Sequence, residues 1–237
     1  DWVIRVALLL AAYYASGRLG LSVPQFGAHV TLIWPPAGIA LAAFLRFGLN
    51  VWPGVFAGAT LVALSTGAPA WLALLIAVGN TLGPLLGAWV LRREGLQVEL
   101  DRRRDLWLYG AIGVGFAMAI TASNGVFWLA ASGTIGWLDA PKAWAFWWIG
   151  DAMGALIVGI PLLTLSHAAL KQAFGDWRWV PTSLLAGGTL ASAALASLVA
   201  GVGHAAQSPL FFLPHLLLCW LAARSGLFVA SATAFLL

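Results

Sequence analysis

The stretch LIWPPAGIALAAFLRFG, Leu32 to Gly48, decides the fold. From Pro35 to Phe47 it makes only about 20 Å of helix at 1.5 Å per residue, against a hydrocarbon core of roughly 30 Å. It opens on Trp34-Pro35-Pro36, where most membrane spans open on a charged or aromatic anchor. A helix start leaves about four N–H groups without partners. Proline has no N–H to lose and suits the first turn. The two prolines therefore leave mainly Ala37 and Gly38 pointing outward from a positive helix terminus, a small binding point for an anion or a carbonyl. The preceding residues, from His29 to Ile33, complete the crossing in non-helical form. Irregular backbone is not tolerated against lipid, so this piece is expected inside the protein or lining a cavity.

Composition sets the solvent. The 237 residues are 62% hydrophobic and 8% charged, with a mean hydropathy of +0.93. Soluble domains run near half apolar and a quarter charged. Apolar runs of span length, divided by short polar breaks, recur along the whole chain, so the fold class is all-α: a polytopic helical bundle in a membrane. The alternating strands and polar lumen of a barrel are missing. Spans are expected at about 2–17, 31–46, 51–65, 70–91, 106–131, 143–166, 181–203 and 208–223, with a ninth from near 226. That makes eight or nine transmembrane helices. Leu237 stops partway through the ninth, so a tenth span and a cytoplasmic C-terminal region are expected to follow. Asp1 stands where a Met would begin the chain, which points to a natural start upstream.

Orientation follows from lysine and arginine. Arg5, Arg46, Arg92, Arg93, Arg102, Arg103, Arg104, Lys171, Arg178 and Arg224 fall on one side of these spans, and Arg18 and Lys142 on the other. The N-terminus is expected in the cytoplasm. Trp52, Trp71, Trp89, Trp107 and Trp144 sit near span ends, as an aromatic belt requires. The net charge of +4 is a topology signal and gives no reason to expect nucleic acid. The single Cys219 excludes a disulfide framework and a thiolate metal cluster. A weak internal echo also exists: Pro36, Arg46, Gly48 and Leu49 recur at one offset as Pro214, Arg224, Gly226 and Leu227.

Polar residues inside the spans mark the candidate site. Asp151, about eight residues into span six, lies roughly 12 Å deep. It is the one acid within any expected span, and an intramembrane carboxylate costs about 2.5–3.5 kcal/mol to insert. Asn124 lies at similar depth in span five and Asn80 slightly deeper in span four. Pro84 and Pro161 disable the backbone bonds to the Asn80 and Ile157 carbonyls. These features converge on the outer half of the bilayer. Trp34, Pro35, Pro36, Ala37, Gly38, Asn80, Asn124, Trp147 and Asp151 are the candidate ligand-binding residues.

Three roles for Asp151 stay open: a structural cap on the start of span two, a ligand contact, or a proton-coupling group. A small polar or cationic molecule suits the carboxylate. An anion suits the helix terminus if Asp151 is turned away. The pairs Gly54/Gly58, Gly83/Gly87 and Gly150/Gly154 support close packing and nothing more specific. His29, His204 and His215 lack the i,i+4 partner of a helical metal site. The sequence names no cofactor. Catalysis finds no support. An intramembrane aspartyl protease needs two carboxylates, and no Ser or Cys has a buried His partner. Arg102-Arg103-Arg104, interleaved with Glu99, Asp101 and Asp105, is a topology anchor at the membrane surface.

LIWPPAGIALAAFLRFG, VWPGVFAGA, VGNTLGPLLGAWVLRR, WWIGDAMGALIVGIPLL and LPHLLLCWLAARSG resemble, in order and spacing, the motifs of the membrane-associated sensor domain family of the first type (MASE family). The similarity covers nearly the whole chain. It implies one transmembrane sensor domain over 1–237, about ten helices when complete, with no chemistry of its own. It further implies a bacterial inner-membrane input module for a cytoplasmic histidine kinase or diguanylate cyclase, with dimerisation through that output. Its partners would then be the bilayer and a small-molecule ligand whose identity the resemblance does not supply. A secondary transporter or substrate-capture subunit using Asp151 for coupling is the alternative, because broken helices and a lone intramembrane acid also mark such proteins.

Overall fold

The computed structural model describes residues 1–22, 33–166, 170–171, 179–200 and 213–236, and every regular element among them is helical. We number the helices α1 (Trp2–Leu21), α2 (Pro35–Phe47), α3 (Trp52–Ser65, entered through a 3₁₀ turn at Leu49–Val51), α4 (Ala70–Arg93), α5 (Arg103–Ala131), α6 (Ala140–Thr164), α7 (Trp179–Ala200), α8 (Leu213–Ser225) and α9 (Leu227–Leu236). Among the described residues α1, α4, α5 and α6 are long and apolar enough to cross a membrane, and α2 and Leu49–Ser65 are shorter apolar helices. The chain forms two compact units, Asp1–Leu163 and Thr164–Leu237.

The first unit is built around its shortest full helix. Nine of the thirteen residues of α2 are buried, on every face. The helix packs against α1, α4 and α6. A helix apolar all round belongs in the interior; residues 29–32, expected to complete its crossing in non-helical form, lie outside the described residues, and Ile33 is exposed. Trp34 is extended, as the residue before a proline must be (φ −114°, ψ 84°). Its N–H donates to the Gly150 carbonyl at 2.8 Å. At the other end Arg92 reaches the Phe44 and Leu45 carbonyls at 3.3 and 3.4 Å, a charged donor on the last turn of α2. Arg46 donates to the Leu162 carbonyl at 2.5 Å and ties the same end to α6.

The backbone irregularities fall in α5 and α6 rather than at Pro84. Helix α4 runs through Pro84 without interruption, whereas α5 widens into π-helical turns at Tyr109–Phe116 and α6 at Ala155–Gly159. The second widening lies just before Pro161, which has no N–H to return. The two are cross-braced. Tyr109 donates its hydroxyl to the Ala155 carbonyl at 2.7 Å, and the Trp148 indole N–H donates to the Gly115 carbonyl at 3.1 Å. Tyr109→Phe is expected to destabilise the unit by about 1–3 kcal/mol, because a buried carbonyl loses its donor. Thermal unfolding in detergent reads this directly, and an unchanged melt removes the brace.

The segment between α4 and α5 is a knot held by one buried acid. Asp105 is fully buried and accepts from Arg102 through Nε at 2.7 Å and Nη2 at 3.2 Å. Arg102 also donates to the Gly95 carbonyl, and Arg104 donates to that of Glu94. The basic run is thus folded onto the acids around it. Asp105→Ala is expected to free the segment and speed trypsin cleavage at Arg102–Arg104 several-fold in solubilised protein, checked by a digestion time course.

The internal echo extends to structure. In the second unit α7, α8 and α9 follow the pattern of α1, α2 and α3. Helices of 20 and 22 residues are followed by helices of 13 and 13. Each short helix has proline at its second position and ends on a glycine of positive φ, Gly48 at 95° and Gly226 at 87°. Gly48 N–H donates to the Phe44 carbonyl at 3.2 Å, and Gly226 N–H to the Ala222 carbonyl at 3.1 Å. Even one side-chain contact recurs in register. Arg5, fourth in α1, lies over the ring of Phe47, last in α2. Thr182, fourth in α7, is hydrogen-bonded to Ser225, last in α8, at 3.0 Å.

Candidate functional site

A cavity of about 220 Å³ lies where the last turn of α1, the start of α2, the α3–α4 turn, α4, the end of α5 and α6 meet. Its wall is mostly aliphatic: Ala59, Val62 and Ala63 from α3, Leu72 and Ile76 from α4, and Leu129 from α5. Small residues on α3 keep the space open. Thr66, Gly67, Ala68, Pro69 and Thr134 form the end nearest the interhelical turns. Four candidate residues face it: Trp34, Asn80, Trp147 and Asp151. Among the described residues no Lys, Arg or His lines it.

Asp151 is the electrostatic centre. It is 1% exposed. Thr121 of α5 donates to its Oδ2, and the Trp147 indole, one helical turn earlier on α6, lies beside the carboxyl. Oδ1 has no hydrogen-bond partner. Tyr13 of α1, also 1% exposed, lies close to Asp151, with its hydroxyl in reach of the Trp34 indole. A buried acceptor without a donor costs stability, and such an atom asks for an explanation.

The start of α2 proves to be closed. Trp34 N–H is bonded to Gly150, Pro35 and Pro36 have none, and Ala37 N–H donates to the Trp34 carbonyl at 3.1 Å. The outward-pointing Ala37 donor expected from sequence is therefore consumed by its own turn. The first turn is also walled in. Pro35 and Pro36 lie against Gly20 and Gly17 of α1. Gly38 packs on the backbone of Gly154 and Gly159, where even a Cβ would collide. Pro35, Pro36, Ala37 and Gly38 form the support behind the wall of the cavity. Asn124 is likewise outside it, packed on Gly79 of α4 with its Oδ1 buried and unpartnered.

Thr121, Tyr13 and the α3 wall were missed from sequence. Thr121 sits three residues before Asn124, on the same face of α5. Tyr13 is a hydroxyl in the middle of an apolar span. Either could have been found by asking which polar groups lie one turn from those already chosen. Among the described residues no group of three or more His, Cys, Asp and Glu could hold a metal ion. His29, His204 and the side chain of His215 lie outside the described residues.

The family model named MASE1 matches residues 5–237. The chain belongs to the MASE1 family. MASE1 is a family of membrane sensor-input domains without catalytic activity. No curated protein and no solved structure matches the chain. In this MASE1 domain the WPPAG motif supplies the central helix start, and the W-x-GDA-x-G motif supplies both the glycine it rests on and the acid of the cavity.

Proposed function

We propose that this MASE1 domain binds a small molecule in the cavity beside Asp151 and passes the event to a C-terminal cytoplasmic output, such as a histidine kinase or a diguanylate cyclase. The observation that carries it is Asp151, a buried carboxyl among the lining residues of a mostly aliphatic cavity, whose Oδ1 has no hydrogen-bond partner among the described residues. In this reading the domain is a multi-pass protein of the bacterial inner membrane with a cytoplasmic N-terminus. The cavity then lies in the outer half, since its mouth shares an end with Arg18 and Lys142, away from the arginine-rich ends. Output domains of these types work as pairs, so the full protein acts as a homodimer.

Transmission needs two helix arrangements with different ligand affinity. The wide turns in α5 and α6 are suited to it, since Thr121 follows one and Asp151 precedes the other, and wide turns of this kind are frequent at functional sites. Ala59→Phe in the full-length protein fills the cavity. It is expected to change output activity at least about fivefold and to abolish its response to conditions, whereas Leu61→Phe, which faces away from the core, leaves both intact. Unchanged output in Ala59→Phe removes the cavity from signalling.

A transporter remains the second reading, favoured by the lone intramembrane acid and the broken start of α2. Uptake into proteoliposomes that follows a pH gradient and vanishes in Asp151→Asn would establish it in place of the sensor.

A further inference from the structure

We infer that the cavity recognises a small organic ammonium ion, a primary or secondary amine carrying a compact apolar body. The inference rests on the cavity being the ligand site, as proposed above, and names the chemistry of its ligand. Among the described lining residues the one charged side chain is the Asp151 carboxyl, the Trp34 and Trp147 indoles are N–H donors, and the other polar side chains are amphoteric. Asp151 offers a buried oxygen with no donor, Asn80 an amide, and Thr66 and Thr134 hydroxyls nearer the turns. Among the described residues no cation lies against the carboxyl: Thr121, Trp147 and Tyr13 are its polar neighbours there.

An anion would meet no cation among the described lining residues and would sit against the Asp151 carboxyl. The α2 terminus was its natural seat, and every N–H there from Trp34 to Ala37 is bonded or absent. What the ligand must bring is a donor, and a charged donor makes the stronger bond to a carboxylate. Two indoles, Trp34 and Trp147, line the same space. Tryptophan is the best aromatic partner for a cation. The aliphatic wall suits an apolar body. A cavity of about 220 Å³ has room for an alkyl or aryl amine of modest size.

The test uses the full-length protein in nanodiscs, with empty nanodiscs subtracted. Butylammonium, cyclohexylammonium and phenethylammonium chlorides are titrated while tryptophan fluorescence is followed. 2-Phenylethanol and 3-phenylpropanoate serve as neutral and anionic matches. At least one amine is expected to bind about tenfold or more tightly than both matches, since a bond to a charged group outweighs a neutral one by about that factor. Asp151→Asn should erase the preference, and Ala59→Phe should erase binding.

Equal binding of alcohol and amine, lost in Ala59→Phe, overturns the ammonium inference and leaves the cavity as a ligand site. Tighter binding of the carboxylate overturns it in favour of an anion. Absence of binding by all three amines up to their solubility limits also overturns it. If Asp151→Asn does not fold, the affinity order on the unaltered protein decides alone. Failure of the cavity reading is separate, and shows as an unchanged output in Ala59→Phe.

Discussion

Replacing Gly154 by valine is expected to cost the first unit more than about 3 kcal/mol, the upper end of overpacking effects or beyond. The Cβ of residue 154 would land on the Trp34 carbonyl, and Gly38 across the contact has no more room. Both neighbours are backbone, so no rotamer change relieves the collision. Trp34 is held in place by its own bond to Gly150, and the two prolines after it fix the chain direction. The expected result is a large fall in the unfolding temperature or loss of monodisperse protein. Gly110→Ala, where an added Cβ meets nothing within 4 Å, is the matched control and should melt like the unaltered protein. A normal melt for Gly154→Val would show that α2 does not begin against α6.

Thr121→Val is expected to destabilise the unit by about 2–3 kcal/mol, because it strips the donor from a carboxyl whose other oxygen is already unpartnered. The single Thr121 proton is shared with the Met118 carbonyl, 2.7 Å away, and that contact is lost as well. That carbonyl stays within its helix, so the larger share belongs to Asp151. The double variant Thr121→Val/Asp151→Leu separates the two. Removing both polar partners is far less costly than removing one, and the adjoining cavity has room for the larger side chain. The double variant should therefore be more stable than Thr121→Val alone. If the two losses simply add, the Thr121–Asp151 pair carries no coupling energy.

The helical bundle was legible because lipid leaves so few choices. Apolar runs with polar breaks between them must be helices. The expected spans at 2–17, 70–91, 106–131 and 143–166 lie within a few residues of α1, α4, α5 and α6, the helices long enough to cross, while those expected at 31–46 and 51–65 are the shorter helices α2 and α3. Asp151 was legible as a candidate for a related reason, since a carboxyl in an apolar span is costly to insert. The motif echo between residues 36–49 and 214–227 was legible as letters, and the matching helix lengths gave it structural content.

What sequence could not settle was which groups face one another. The prolines at 35 and 36 correctly marked a buried helix start. Whether its donors looked into a site or into a wall depended on Gly150, Gly154 and Gly159, more than a hundred residues away. A shorter separation, from α4 to α5, decided Asn124. Depth along the span suggested the cavity, while rotation about the helix axis turned it toward Gly79. The amino-acid sequence by itself determined the solvent, the helices and the presence of a buried acid, because burial and backbone satisfaction are properties of single segments. Only tertiary structure decided that Asp151 lines a mostly aliphatic cavity and keeps one buried oxygen without a partner, while the start of α2 is sealed. Packing between helices sets rotation and partner, and no single segment carries that information.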